Sequence, residues 1–99
     1  MLNITKTAEG KKFCFALDGS LNTNTADEFE KQLREILPEA EELYIDLKDL
    51  TYISSAGLRV LLSAQKQMSR QGVMKVKNAG GFILETFEIT GFTEILDLE

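Results

Sequence analysis

Two adjacent serines, Ser54 and Ser55, stand where an apolar segment ending at Ile53 gives way to a run with helical spacing. A serine oxygen there can accept a hydrogen bond from a free backbone N–H and cap the helix. Ala56 and Gly57 leave the first turn almost bare, so a partner or a phosphate can come close to the backbone amides. The partial positive charge of a helix start favours such an approach. Nucleophilic chemistry is a third possibility, but the chain has no histidine to activate a hydroxyl. Lys48 and Lys66, the nearest lysines in sequence, read as exposed charges rather than bases. No Gly-x-Ser-x-Gly string and no Gly-rich phosphate loop ending in Lys-Ser/Thr is present. These absences point away from an enzyme.

Other polar residues become candidates only through position. Asn22, Thr23 and Asn24 read as loop formers, and a parallel sheet would bring their loop beside the serines. Arg59, one helical turn past Ser55, points toward the same rim, and Val60 would face outward beside it. Cys14 lies in the apolar run Phe13 to Leu17 and reads as a small buried hydrophobe. Without histidine and with a single cysteine, no cofactor or metal is expected.

The elements that must hold these residues follow from periodicity. Ile4 to Thr7 and Lys12 to Asp18 read as a hairpin turning at Gly10. Thr25 with Glu28 has capping-box spacing, which predicts a helix carrying Phe29, Leu33, Ile36 and Leu37 on one face and stopped by Pro38. Leu43 to Leu47 alternates as a strand, Lys48-Asp49 reads as a turn, and the serines open a helix with Leu58, Leu61, Leu62 and Met68 inward. Gly72 ends it. Val73 to Lys77 is a further strand. Phe82 to Thr90 suits a helix with Phe82, Ile83, Phe87 and Leu84 inward, ended by Gly91. Residues 93 to 98 fit a strand or a helical turn. Strands alternating with one-sided helices indicate an α/β domain over residues 1–99, with a four- or five-stranded mixed sheet and the helices packed on one face.

Composition narrows the partners. At 99 residues, 43% hydrophobic, the chain can bury one core. A formal charge of −5 argues against direct nucleic-acid binding, which needs a basic face. The first residues lack the apolar core of a signal peptide and no stretch approaches a membrane span, so a cytoplasmic, membrane-free location is expected.

The string Asp46-Leu47-Lys48-Asp49-Leu50-Thr51-Tyr52-Ile53-Ser54-Ser55-Ala56-Gly57-Leu58-Arg59-Val60-Leu61-Leu62 closely resembles the signature of the STAS domain (sulfate transporter and anti-sigma factor antagonist). Leu17-Asp18-Gly19-Ser20-Leu21-Asn22 and Phe87-Glu88-Ile89-Thr90-Gly91-Phe92 are similar to its flanking motifs. The short chain resembles the bacterial anti-sigma factor antagonists. That resemblance implies a non-catalytic module that is monomeric when free. It implies that Ser55 is phosphorylated by a cognate anti-sigma factor serine kinase and reset by a metal-dependent phosphatase. The unphosphorylated protein would bind the kinase and free a sigma factor, with Asn22, Thr23, Ser54, Ala56, Gly57 and Arg59 as contact residues. A non-switching scaffold or docking subunit of a signalling or lipid-transport complex is the alternative that the same family offers. Many members have aspartate where Ser54 and Asn22 stand, so this chain lacks two carboxylates near the phosphorylation point.

Overall fold

The computed structural model describes residues 1–99. Strand β1 (Leu2–Glu9) turns through Gly10, at φ +64, into β2 (Lys12–Leu21), and the two pair antiparallel with Glu9 opposite Lys12. Helix α1 (Thr23–Ile36) then leads to β3 (Glu42–Ile53), which lies parallel to β2. Helix α2 (Ser55–Gln71) leads to β4 (Val73–Lys77), parallel to β3, and α3 (Gly81–Thr90) follows, with a 3-10 turn at Phe92–Glu94. The sheet order is β1-β2-β3-β4.

The strand alternation decides which face is covered. Phe13, Phe15 and Leu17, with Leu43, Ile45 and Leu47, and Met74 and Val76, are buried on one face. Cys14, Ala16, Tyr44, Asp46, Lys75 and Lys77 alternate with them and are only half-buried. The apolar stripes of all three helices meet the first face: Phe29 and Leu33 from α1, Leu61 and Met68 from α2, Ile83 and Phe87 from α3. Phe15 and Phe29 pack edge to face across that layer at 5.8 Å. No polar side chain belongs to the buried set, so the core between helices and sheet is wholly apolar.

Several expectations needed correction. Lys48-Asp49 is not a turn; β3 runs straight through it. Ala16 pairs with Asp46 but Asp18 with Asp49, and Gly19 pairs with Leu50 but Ser20 with Tyr52, so β3 holds one extra residue at each step. Two bulges absorb what looked like a break. They also change the burial period, so that Leu47, Leu50 and Ile53 all reach the core. The cap of α1 is Asn22 rather than Thr25. Phe82 is 56% exposed, because Ile83 and Phe87 take the inward positions of α3, and Leu84 is half-buried. Val60 is buried against α1 rather than outward, and Cys14 is half-buried because it lies on the uncovered face. The tail combines both readings: after the 3-10 turn, Leu98 makes a parallel bridge to Val76.

Candidate functional site

Parallel pairing brings the carboxyl ends of β2 and β3 to one edge, where Leu21 lies opposite Ile53. The next residue of each strand caps a helix. Asn22 Oδ1 accepts from the Asn24 and Thr25 amides at 2.9 and 3.0 Å, and Thr25 Oγ1 accepts from the Asn22 amide at 2.8 Å. This is a capping box with asparagine first and threonine third. The Thr25 hydroxyl also donates to the Ser20 carbonyl at 2.7 Å, fastening the helix start to the strand it leaves. Ser54 Oγ accepts from the Gly57 amide at 3.3 Å, and the Ser54 amide donates to the Leu21 carbonyl at 2.9 Å. The sequence signal for the Asn22 cap, an asparagine three residues before a threonine, was masked by the equally good Thr25–Glu28 pair.

The serines therefore divide their work. Ser54 is half-buried and caps α2. Ser55 is the first residue of the helix, exposed, and its hydroxyl makes no hydrogen bond within the protein. Thr23 is exposed, Asn22 and Ala56 are half-buried, and the pairing of Leu21 with Ile53 places their two loops side by side. Gly57 is buried, and its role is packing. A Cβ there would lie 2.8 Å from Leu21 Cγ and 2.9 Å from Ile53 Cγ1, closer than carbon atoms pack. Its small size lets the start of α2 sit directly on the ends of both strands. Arg59 is exposed, forms no ion pair, and lies with Ala26, Asp27, Glu30 and Ala56 along a shallow groove of about 210 Å³ between α1 and α2.

Because β4 is also parallel, α3 begins at the same edge as α1 and α2. None of the three helices has an acidic residue in its first turn. Three partial positive ends thus face one edge with no carboxylate of their own first turns to offset them. The β4–α3 loop is held by Asn78, at φ +60, whose side-chain amide donates to Asp46 Oδ1 at 2.9 Å. That hydrogen bond holds the Asp46 carboxyl below its ordinary value against the opposing effect of burial, with the Lys48 amide helping. No group of three His, Cys, Asp or Glu residues gathers to hold a metal. A hollow of about 440 Å³ between Thr7, Lys12, Cys14, Tyr44, Lys77 and Glu99 is on the uncovered face at the far end of the strands. There the Tyr44 hydroxyl donates to Glu42 Oε1 at 3.0 Å, which raises its pKa above the ordinary value.

The STAS domain family matches residues 3–99. The chain belongs to the STAS family. Among its relatives, a Bordetella bronchiseptica protein with the provisional name anti-sigma factor antagonist BtrV is 38% identical over 81 residues, covering 80% of this chain and 70% of its own. The anti-sigma-B factor antagonist of Bacillus subtilis is 30% identical over 81 residues, covering 81% and 74%. An anti-sigma factor antagonist from Mycobacterium paratuberculosis superposes with a TM-score of 0.90 at 17% identity, over 99% of this chain and 85% of its own. The Bacillus antagonist SpoIIAA has been solved in both states. Its unphosphorylated form matches with a TM-score of 0.77 at 10% identity, over 100% and 87% of the two chains. Its phosphorylated form matches at 0.76 and 11%, over 100% and 91%. The four-stranded mixed sheet and its helices are thus the STAS fold. No helix of this STAS chain is long and apolar enough to cross a membrane.

Proposed function

We propose that the protein is an anti-sigma factor antagonist that binds a cognate anti-sigma factor serine kinase through the edge around Ser55 and is released when Ser55 is phosphorylated. The carrying observation is the division of labour between the serines. Ser54 caps α2, so the exposed Ser55 hydroxyl is free to be modified without loss of a structural hydrogen bond. The names borne by the relatives support the same reading. The chain is then the kinase's substrate and not itself a catalyst. The kinase transfers the γ-phosphoryl group of ATP to Ser55 Oγ, and the hydroxyl proton and ADP leave. A metal-dependent phosphatase hydrolyses the ester and resets the module.

The electrostatics favour a switch that acts on the partner rather than on the fold. Phosphorylation adds about −1.5 to −2 charges at pH 7. A helix N-terminus accommodates an anion with a favourable contribution of about 0.3–1 kcal/mol, and no carboxylate in the first turn opposes it here. Both forms of SpoIIAA match this fold equally well, which supports a module that keeps its shape when phosphorylated. The hydrated dianion instead disrupts a surface that must be dry and close-packed against the kinase. Aspartate in place of Ser54 or Asn22 is not needed for that effect, since both caps are already made by neutral oxygens.

The test is incubation with the purified cognate kinase and Mg-ATP, followed by peptide mass spectrometry that separates Ser54 from Ser55. One phosphate per chain on Ser55 is expected, with Ser55→Ala unmodified and Ser55→Asp at least tenfold weaker than Ser55→Ala in binding the kinase. Phosphate on Ser54, or equal affinities of the two variants, would refute the proposal.

A further inference from the structure

Helix α3 is apolar on more than the side it buries. It carries Phe82, Ile83, Leu84, Phe87 and Ile89 within ten residues, yet only Ile83 and Phe87 are in the core. Phe82 is 56% exposed and Ile89 78%. Glu85, Glu88 and Thr90 share the exposed side, so the uncovered large apolar side chains are Phe82 at the start of the helix and Ile89 near its end. Phe82 does not stand alone. Its ring stacks on that of Tyr52, with centroids 6.5 Å apart and planes 11° from parallel, and Tyr52 is itself 44% exposed.

The position of the pair indicates what covers it. Tyr52 is the penultimate residue of β3, and Phe82 lies in the first turn of α3, so both stand at the edge that carries Ser55. Ser55 lies three positions after Tyr52, at most about 11 Å of chain. A stable protein–protein contact takes about 800 Å² from each partner, a patch of about 16 Å radius. A kinase seated over Ser55 therefore spreads across the aromatic pair. Resting on the function proposed above, we infer that Tyr52 and Phe82 are the apolar anchor of the kinase interface, received by a hydrophobic pocket on the kinase, and that they set affinity while Ser55 sets the switch.

The rings are held ready for that role. The Thr51 hydroxyl donates to the Gly19 carbonyl at 2.9 Å and the Ser54 amide to the Leu21 carbonyl at 2.9 Å, pinning Tyr52 from both sides. The Asn78–Asp46 hydrogen bond fixes the loop before Phe82. Two stiff aromatic rings in a fixed arrangement lose little freedom on binding, which is why such residues dominate interface energetics. Their contacts are the same before and during phosphoryl transfer. Removing them should weaken complex formation without slowing the chemical step.

The experiment uses the full chain, the purified cognate kinase and four variants: Phe82→Ser, Tyr52→Ser, Ile89→Ser and Ser55→Asp. Calorimetric titration is expected to show Phe82→Ser binding at least about tenfold more weakly, the loss typical of an interface anchor. The KM for phosphorylation should rise in step, with kcat within twofold. Ile89 lies seven residues along α3, about 10 Å farther from the edge, and Ile89→Ser should stay within about threefold. Circular dichroism should be unchanged for both; Ile89→Ser should melt as the parent does, while Phe82→Ser, which loses the stack on Tyr52, should melt a few degrees lower and still be fully folded at the assay temperature. Phe82→Ser within threefold of the parent, or a fall in kcat at constant KM, would overturn the anchor. So would an equal loss in Ile89→Ser. Parent-like binding by Ser55→Asp would instead overturn the switch and leave the anchor standing if Phe82→Ser still weakened binding. A parent protein that failed to bind the kinase would overturn both.

Discussion

The contact between Gly57 and the two strand ends makes a demanding prediction. In Gly57→Ala the new methyl carbon would meet Leu21 Cγ at 2.8 Å, Leu21 Cδ2 at 2.9 Å and Ile53 Cγ1 at 2.9 Å. Ordinary carbon–carbon contacts are about 3.5–4.0 Å, so each must open by more than half an ångström. The obstructing atoms cannot swing aside, because Leu21 is fully buried and Ile53 is 4% exposed. Overpacking of this kind costs about 1–3 kcal/mol. Alanine returns up to about 1 kcal/mol through its better helix propensity. Taken at the middle of each range, these leave a net loss of about 1.5 kcal/mol, a fall in Tm of about 6–12 °C for a domain of this size. Urea denaturation should show a lower midpoint at unchanged slope. Amide NMR shifts should concentrate at Leu21, Ile53, Ser54 and Ser55, because the helix start must lift from the sheet. A variant as stable as the parent, with those amides unmoved, would refute the claim that glycine is needed to seat α2.

The remaining predictions separate the roles of neighbouring polar groups. Ser54→Ala should cost about 0.5–1 kcal/mol through the lost cap, while Ser55→Ala should change stability by no more than about 0.5 kcal/mol; the opposite order in thermal melts would reverse the assignment of the two serines. Asn22→Ala, which strands the two amides that its side chain now satisfies, should cost about 1–2 kcal/mol, and Asn22→Asp should be neutral or stabilising because a carboxylate accepts the same bonds at a helix start. Asn78→Gly keeps the positive φ but removes the amide that donates to Asp46, so a carboxyl NMR titration should show the Asp46 midpoint rising toward its ordinary value. The parent's Asp46 midpoint is depressed, so its stabilising contribution is present above the unfolded-state value and fades as pH falls through the folded one; Asn78→Gly should therefore lose stability at neutral pH and show a weaker acid-side decline.

Much of the architecture was legible because it depends on local pattern. The alternation of Leu43, Ile45 and Leu47, the 3.6-residue stripe of Phe29, Leu33 and Ile36, and the position of Ser54-Ser55 before a helical run are properties of short segments. What escaped depends on pairing between distant segments. The passage of β3 through Lys48-Asp49 is decided by its register against Ala16 to Ser20, which periodicity along one strand cannot report. Asn22 and Thr25 were both competent caps, and the Thr25 bond to the Ser20 carbonyl favours the start at Asn22. Val60 lies close to α1, so its burial is a property of the α1–α2 contact. For the site, Ser55 was legible as a helix-start serine, but its freedom from capping duty was not, since either serine could have taken the cap. The Tyr52–Phe82 stack joins residues thirty positions apart and left no local trace.

The short tail bridge at Leu98 has a bearing on how the protein stays dispersed. The Val76 amide donates to the Asp97 carbonyl at 2.9 Å, the Glu99 amide donates to the Val76 carbonyl at 2.8 Å, and the Lys75 ammonium sits 3.7 Å from both the Asp97 and Glu99 carboxylates. These contacts occupy the outer side of β4, which would otherwise offer its backbone as a template for a strand from another molecule. The opposite edge, β1, has an interior lysine, Lys6, as its guard against such pairing. Ending the chain at Leu96, which keeps that buried side chain in the core, would therefore uncover a sticky rim, and the damage would register as concentration-dependent clumping before any loss of the fold.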